Sequence, residues 1–258
     1  MITAYQTELM QSRITKAQAW QSNRTRDKAE VFTPSWICNE QNNLVDDQWF
    51  GRTDIFNRQL KKTWMTIYDK VSFPTASGGS WQDYVDSRRM EITCGEAPYL
   101  VSRYDCVTGE VIELKDRIGL LDRKLRVVNE NTKNISDWLK WAERAYQSIY
   151  GFECQGDSLL IARVNLLMTF IENMECKFDV SPGPDTLSKI ATIISWNVWQ
   201  MDGLTYAGPF GGVQPWSNQV SMFDMMNGNK QLKQKYCKIK DWRSKKITEF
   251  AALIKGKR

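Results

Sequence analysis

Residues 148–167 carry the sequence Ser-Ile-Tyr-Gly-Phe-Glu-Cys-Gln-Gly-Asp-Ser-Leu-Leu-Ile-Ala-Arg-Val-Asn-Leu-Leu, which joins two structural patterns. Its first part, 148–154, is a short apolar run that predicts a strand. Asp157 and Ser158 predict the cap of a helix that continues to about Met174, because apolar residues recur there at helical spacing. A strand followed at once by a helix is typical of α/β proteins.

The same alternation continues in both directions along the chain. Residues 89–100, Arg-Met-Glu-Ile-Thr-Cys-Gly-Glu-Ala-Pro-Tyr-Leu, predict a short strand that runs into a Gly/Pro turn. Residues 118–129 and 136–147 predict helices. A short helix ending near Ile190 leads into the apolar run 193–199, which predicts another strand. We therefore expect an α/β sheet rather than an all-α or all-β fold.

The composition excludes several classes of chemistry. The 258 residues contain no histidine, so His-based acid/base catalysis, Ser-His-Asp and Cys-His nucleophiles and His-ligated zinc are ruled out. The six cysteines form no C-x-x-C pair; we expect free thiols and no metal site. No segment resembles a signal peptide or a membrane-spanning helix, so we expect a cytoplasmic protein without membrane contact.

Charge is distributed unevenly along the chain. Residues 230–258 carry eleven Lys and Arg against two acidic residues, a charge of +9. The other 229 residues carry 24 basic and 28 acidic side chains, a charge of −4. A basic end on an acidic body predicts a polyanionic partner. Aromatic residues lie among these lysines, namely Tyr236, Trp242 and Phe250. A basic segment with interspersed aromatic residues suits a contact with a nucleic-acid backbone.

Three short segments, taken in sequence order, contain the candidate functional residues. The first is 30–34, Glu-Val-Phe-Thr-Pro, where the proline fits the first turn of a helix with Thr33 as its N-cap. The second is 91–100, whose Cys-Gly turn suits a close approach of backbone to a ligand. The third is 150–153, Tyr-Gly-Phe-Glu, followed by Ala-Arg-Val-Asn-Leu at 162–166.

This order resembles that of the S-adenosylmethionine-dependent DNA adenine-N6 methyltransferases, and the chain is similar to a bacterial and phage family labelled restriction endonuclease subunit M. The resemblance implies a Rossmann-like class I methyltransferase sheet with helices on both faces and a basic C-terminal segment. It implies S-adenosylmethionine as cofactor, DNA as partner, and a partner restriction-modification subunit. The implied organisation is a helical segment at 1–30, a methyltransferase-like domain at 31–210 and a basic extension at 211–258.

The resemblance also implies the residues of a cofactor site. They are Phe32, Thr33, Glu91, Cys94, Gly95, Glu153 and Asp157. In the methyltransferases, an acidic residue that ends the second strand accepts hydrogen bonds from the ribose hydroxyls. Glu153 is the preferred candidate for that position, with Asp157 just beyond it. Asp122 is the alternative, because it is closer in sequence to the first turn.

An adenine-N6 methyltransferase also needs an Asn-Pro-Pro-Tyr or Asn-Pro-Pro-Phe motif, which orients the target amine and stacks on the flipped base. The sequence has no such motif. Asn197 and Trp199 are the best-placed catalytic pair, because an apolar segment precedes them; 207–211, Ala-Gly-Pro-Phe-Gly, is the alternative. We expect a DNA adenine-N6 methyltransferase associated with restriction-modification. Two alternatives stay open, a non-catalytic nucleic-acid-binding or assembly subunit and a methyltransferase acting on RNA or protein.

Overall fold

The computed structural model describes residues 32–73, 79–209 and 235–255, and these ranges form seven α-helices and seven β-strands. The helices are α1 (Ser35–Phe50), α2 (Trp81–Asp86), α3 (Leu120–Asn131), α4 (Ile135–Gln147), α5 (Gly156–Phe178), α6 (Pro184–Asn197) and α7 (Phe250–Lys255). The strands are β1 (Asn57–Gln59), β2 (Trp64–Thr66), β3 (Arg89–Ile92), β4 (Ile149–Glu153), β5 (Val198–Gln200), β6 (Lys238–Lys240) and β7 (Ile247–Glu249). The helical segment predicted at 1–30 lies outside the described residues.

A three-stranded parallel sheet with the order β3-β4-β5 organises the fold. Arg89 pairs with Ile149 across the first interface, and Gly151 pairs with Val198 across the second. Parallel neighbours need long crossovers, and α3–α4 and α5–α6 provide them. The predicted α/β class is confirmed, whereas the Rossmann-like methyltransferase sheet stays a prediction.

The two faces of this sheet bury different cores. Ile149 and Val198 pack in the larger core with side chains of the crossover helices α3 to α6. Tyr150 and Phe152 alternate to the opposite face, where they pack with Phe250 in a smaller core. The crossover helices therefore cover one face. The antiparallel hairpin β6–β7 and the six-residue α7 cover the other, so the basic C-terminal segment packs directly on the sheet.

A buried ion pair fixes α1 against the crossover helices. The Arg123 guanidinium in α3 donates to Asp46 in α1 at 2.7 Å, and both side chains are buried. Arg123 also donates to the amide oxygens of Asn39 and Asn43. A buried charge is tolerated when it is paired. Here Asp46, Asn39 and Asn43 occupy both Nη atoms of Arg123, whereas its Nε has no partner among the described residues.

The start of α1 differs from its prediction. Thr33 is not the N-cap; Pro34 is, and it provides no side-chain cap. Instead Asp105 accepts a hydrogen bond from the backbone N–H of Ser35 at 2.7 Å. The free N–H groups of a helix start need an acceptor, and here it comes from a residue seventy positions away.

The start of α5 and the end of α6 also differ from their predictions. Helix α5 begins at Gly156 without a side-chain cap, so Asp157 and Ser158 lie inside its first turn. The apolar run 193–199 is not a strand; α6 continues to Asn197 and only the last residues join β5. A short apolar run fits a buried helix as well as a strand, so periodicity alone does not separate them. None of the helices in the described ranges is long and apolar enough to cross a bilayer.

Replacing Phe250 tests the packing of the C-terminal hairpin on the sheet. Phe250 is 3% exposed, and its ring centroid lies 4.8 Å from that of Phe152. Phe250→Ala is expected to lower the free energy of unfolding by about 3–5 kcal/mol, because it opens a cavity in the smaller core. Leu253→Ala is the control in the same helix, since Leu253 is 47% exposed. Urea denaturation measures both variants, and an equally small loss of unfolding free energy in Phe250→Ala and Leu253→Ala would contradict this packing.

Candidate functional site

A cavity of about 730 Å³ opens at the carboxyl ends of β3 and β4. We call it the carboxyl-end cavity. Six of the seven residues predicted for the cofactor site lie in its wall: Phe32, Thr33, Glu91, Cys94, Gly95 and Glu153. Open α/β sheets bind ligands at the carboxyl ends of their strands, and ligand pockets typically measure about 300–1,000 Å³. The cavity therefore has the position and size of a small-molecule site.

The turn after β3 has an unusual backbone. Thr93, Gly95 and Ala97 have positive φ angles of 64°, 56° and 69°. Glycine adopts this region freely, but threonine and alanine do so at a conformational cost. Hydrogen bonds hold the turn in place, from Cys94 N to Phe152 O at 2.9 Å and from Ala97 N to Cys94 O at 2.7 Å. Such strain concentrates at ligand sites.

Gly151 explains how this turn can lie against β4. A Cβ atom at residue 151 would come within 3.2 Å of both Cys94 Sγ and Leu100 Cδ1. Any larger residue would therefore push the turn away from the strand. The glycine of the Tyr-Gly-Phe-Glu segment thus has a packing role, and it allows the turn to approach the end of β4.

Glu153 joins the two turns that border the carboxyl-end cavity. One carboxylate oxygen accepts from Gly95 N at 2.7 Å, and the other accepts from Gln155 N at 2.8 Å. Each carboxylate oxygen has two lone pairs, so Glu153 keeps acceptor capacity for a ligand. The side chain therefore both builds the site and presents hydrogen-bond acceptors to it.

Glu91 projects from the same face of the sheet as Glu153, opposite Gly151 in the register. Its Oε2 is buried, and among the described residues it has no hydrogen-bond partner. Burial raises the pKa of Glu91 well above its ordinary value, and the nearby negative charge of Glu153 raises it further. An unpaired carboxyl oxygen in a cavity wall suits a ligand that brings a hydrogen-bond partner.

The Ala-Arg-Val-Asn-Leu segment of α5 supports the site from behind. Asn165 donates to Glu96 O and to Tyr104 Oη, both at 3.1 Å, and so holds the turn after β3. Arg163 donates to the backbone oxygen of Val198 and so holds β5. These residues position the sheet and the turn, and neither lies in the cavity wall.

The two remaining acidic candidates take different positions. Asp157 lies in the first turn of α5; its neighbours Gln155 and Ser158 line the carboxyl-end cavity, but Asp157 does not. Asp122 is buried and accepts from Ser102 N at 2.8 Å and from Gly119 N at 3.1 Å, so it caps α3. Of the two candidates for the ribose-binding acid, Glu153 is the one in the cavity wall.

Asn197 and Trp199 are not brought to the carboxyl-end cavity, and their expected placement is corrected here. Asn197 is 1% exposed at the amino end of β5, where its amide donates to Tyr146 O and Ile149 O, each at 2.9 Å. Its oxygen accepts from the Trp242 indole at 2.7 Å. Trp199 donates to a backbone oxygen in α6 and packs against the smaller core. In the alternative segment, 207–211, Ala207 is buried and the last two residues lie outside the described ranges.

Several wall residues of the carboxyl-end cavity were not predicted as site residues from the sequence. They include Gln41, Asn42, Val45, Tyr99, Gln155 and Ser158. Asn42 donates to Tyr99 O at 2.9 Å and to Ile118 O at 3.0 Å, so it ties α1 to the segment after the turn. Gln41 and Val45 are four residues apart and so lie on one face of α1, and this spacing is a sequence signal that could have placed them together.

The cysteines that line the carboxyl-end cavity are neutral thiols rather than metal ligands. All six are free thiols, and Cys94, Cys106 and Cys154 line the carboxyl-end cavity. Burial raises the pKa of Cys94 well above its ordinary value, and the charge of Glu91 adds to this effect. Within the ranges that the structure covers, no cluster of three acidic or thiol side chains has the geometry of a metal site.

No family model, no curated protein and no solved structure matches this chain.

The raised pKa of Glu91 predicts a specific pH dependence of stability. The folded protein holds a proton that the unfolded chain releases above about pH 4.3. Wild-type stability should therefore fall as the pH rises from there through the folded-state pKa. Glu91→Gln removes this loss, so it should be the more stable protein at about pH 8, with the difference shrinking towards about pH 4.

Urea denaturation across this pH range measures the effect. Glu110→Gln is the matched control, because Glu110 is exposed and outside the cavity wall. A difference between Glu91→Gln and wild type that stays constant with pH, or that matches the control, would contradict a protonated, buried Glu91.

Asn197→Ala tests whether Asn197 is structural. The substitution removes two hydrogen bonds to backbone oxygens and leaves the Trp242 indole N–H without its partner, so stability should fall by about 1–3 kcal/mol. Ser195→Ala, at an exposed position of the same helix, should change stability by less than about 0.5 kcal/mol. Thermal or urea denaturation measures both. Unchanged stability of Asn197→Ala would show that the hydrogen bonds of Asn197 are dispensable.

Proposed function

We propose that the protein binds S-adenosylmethionine in the carboxyl-end cavity and acts as a DNA methyltransferase of the adenine-N6 type, associated with restriction-modification, in the cytoplasm. One observation carries the proposal. Residues implied by three separate sequence segments, 32–33, 91–95 and Glu153, converge in the wall of a single cavity at the carboxyl ends of two parallel strands. This is the position at which open α/β sheets bind nucleotide-like ligands.

The chemistry of the wall fits this cofactor. Glu153 has acceptor capacity for ribose hydroxyls, and the unpaired Oε2 of the protonated Glu91 carboxyl can exchange a hydrogen bond with the amino-acid group of the methionine end. Phe32 and Tyr99 supply aromatic surface for an adenine ring. Gly95 keeps the turn free of side-chain bulk. When bound, S-adenosylmethionine supplies a methyl group activated by the positive charge on sulfur.

A second function, a non-catalytic methyltransferase-like nucleic-acid-binding or assembly subunit, is favoured by one specific observation. Asn197 and Trp199 lie away from the carboxyl-end cavity, and the hydrogen-bonding atoms of the Asn197 side chain are already used. An amine-orienting group at the cavity is what adenine-N6 methylation requires. The two functions share the cofactor cavity and differ in whether a methyl group reaches DNA.

Calorimetric titration with S-adenosylmethionine tests the shared part. Wild-type protein should bind, and Glu153→Gln should bind at least about tenfold more weakly, a loss of about 1.4 kcal/mol, because it loses the carboxylate that accepts from the ribose. Glu110→Gln should bind like wild type. Circular dichroism should first establish that Glu153→Gln is folded, because Glu153 also holds two turns. If wild-type protein fails to bind, the proposal is wrong.

Methyl transfer from labelled S-adenosylmethionine to DNA then separates the two functions. Label in adenine supports the methyltransferase. Cofactor binding without label in DNA of varied sequence supports the non-catalytic subunit. Label in RNA or protein instead would contradict DNA as the substrate.

A further inference from the structure

A second cavity, of about 390 Å³, lies at the opposite end of the sheet. We call it the amino-end pocket. Ser148 and Tyr150, at the start of β4, form its floor, and Trp242 from the turn between β6 and β7 forms a wall. The nearest wall residues on β4 are Tyr150 for this pocket and Glu153 for the carboxyl-end cavity, which are three residues, or about 10 Å of strand, apart.

Three arginines from separate parts of the chain converge on the amino-end pocket. Arg88 comes from the segment before β3, Arg144 from α4, and Arg243 from the β6–β7 turn. Two carboxylates, those of Asp86 and Asp241, lie among them. Three guanidinium groups against two carboxylates leave a net positive charge in the pocket.

The arrangement leaves arginine donors available to a ligand. Asp86 accepts from Arg144 at both oxygens and pairs with Arg243 at 3.0 Å. Asp241 accepts from Arg88 at 3.1 Å and from the backbone N–H of Arg243 at 3.0 Å. The side chains of Arg88 and Arg243 are 60% and 55% exposed. A guanidinium has five N–H donors. Arg88 and Arg243 each use only their Nη2 atom to bind the aspartates. The remaining donors can bind two oxygens of a phosphate at once, because the guanidinium fork matches the spacing of that pair.

The wall of the amino-end pocket is held in a fixed position. The Trp242 indole donates to Asn197 Oδ1 at 2.7 Å, which fixes the β6–β7 turn to the end of the sheet. The Lys240 ammonium lies 4.0 Å from the Trp242 ring centroid and 5.3 Å from that of Trp196. This explains why Asn197 is buried here: it positions the basic turn. A built pocket loses less entropy when it binds than a set of mobile side chains does.

The positive charge continues beyond the pocket. Lys238, Lys245 and Lys246 are exposed on the same hairpin. A single small anion would engage only the pocket, whereas a chain of phosphates would also engage these lysines. The surface therefore matches a linear polyanion, and the aromatic ring among the arginines matches nucleic acid better than an acidic peptide.

We propose that the amino-end pocket binds the phosphate backbone of DNA, through Arg88 and Arg243, at a site separate from the carboxyl-end cavity. The choice of DNA as the polyanion rests on the proposed function; the pocket itself does not depend on methyl transfer. The consequence is that DNA is held at one end of the sheet while the cofactor binds at the other. Backbone binding and cofactor binding should therefore be separable by mutation.

Fluorescence anisotropy with a labelled DNA duplex and the full-length protein tests the proposal. The double variant Arg88→Gln/Arg243→Gln should bind about tenfold or more weakly at low ionic strength. Its plot of log affinity against log salt should be shallower by about two, because each arginine removed leaves about one phosphate without its neutralising charge. Arg58→Gln is the control, because Arg58 is an equally exposed, ion-paired arginine outside the pocket.

Further outcomes are decisive in either direction. Wild-type affinity of the double variant, or a loss with an unchanged salt slope, would overturn the proposal. If inorganic phosphate displaces the DNA at concentrations that leave the salt slope unchanged, the pocket binds a free anion. If polyglutamate binds with the same dependence on the two arginines, the pocket binds an acidic protein. Either result would overturn the DNA assignment. Calorimetry with S-adenosylmethionine should give equal affinities for the double variant and wild type, so that failure of the DNA site and failure of the cofactor site are distinguished.

Discussion

The carboxylate of Glu153 bonds at once to the backbone N–H groups of Gly95 and Gln155, and the carboxyl-end cavity depends on this clamp. The two N–H groups belong to turns that follow neighbouring strands, so one side chain fixes both borders of the cavity. The clamp is possible because Gly151 lets the first turn lie against β4. Strained positions at Thr93 and Ala97 persist because these interactions hold the turn.

The sheet separates two kinds of polar surface. At its carboxyl end, the Glu153 carboxylate and the protonated Glu91 carboxyl give the cavity a wall of hydrogen-bonding oxygens suited to a polar ligand. At its amino end, arginines and the β6–β7 turn give a basic pocket, and Asn197 links that turn to the sheet. The hairpin thus connects the uneven charge of the sequence to one end of the fold. Opposite ends of a single small sheet can in this way hold two different ligands.

The alternation of strands and helices was sufficient to predict the α/β class. The six predicted residues of the cavity wall came from the resemblance to the methyltransferases, and they lie together because parallel strands bring their carboxyl ends to one edge. The sequence did not predict the role of Asn197, because the apolar run 193–199 fits a helix as well as a strand, and α6 takes most of it. It also left open whether Glu153 or Asp122 is the ribose-binding acid, since both residues follow apolar segments. Only the fold shows that Asp122 is used to cap α3.

Protection of Cys154 from alkylation tests the central claim, that S-adenosylmethionine occupies the carboxyl-end cavity, most directly. Cys154 lines that cavity, whereas Cys176 is an exposed thiol on α5 that does not, and provides an internal control in the same molecule. Mass spectrometry follows the alkylation rate of each thiol with and without the cofactor. The account predicts slower alkylation of Cys154 in the presence of S-adenosylmethionine and an unchanged rate at Cys176. Equal rates at Cys154 with and without saturating cofactor would contradict it.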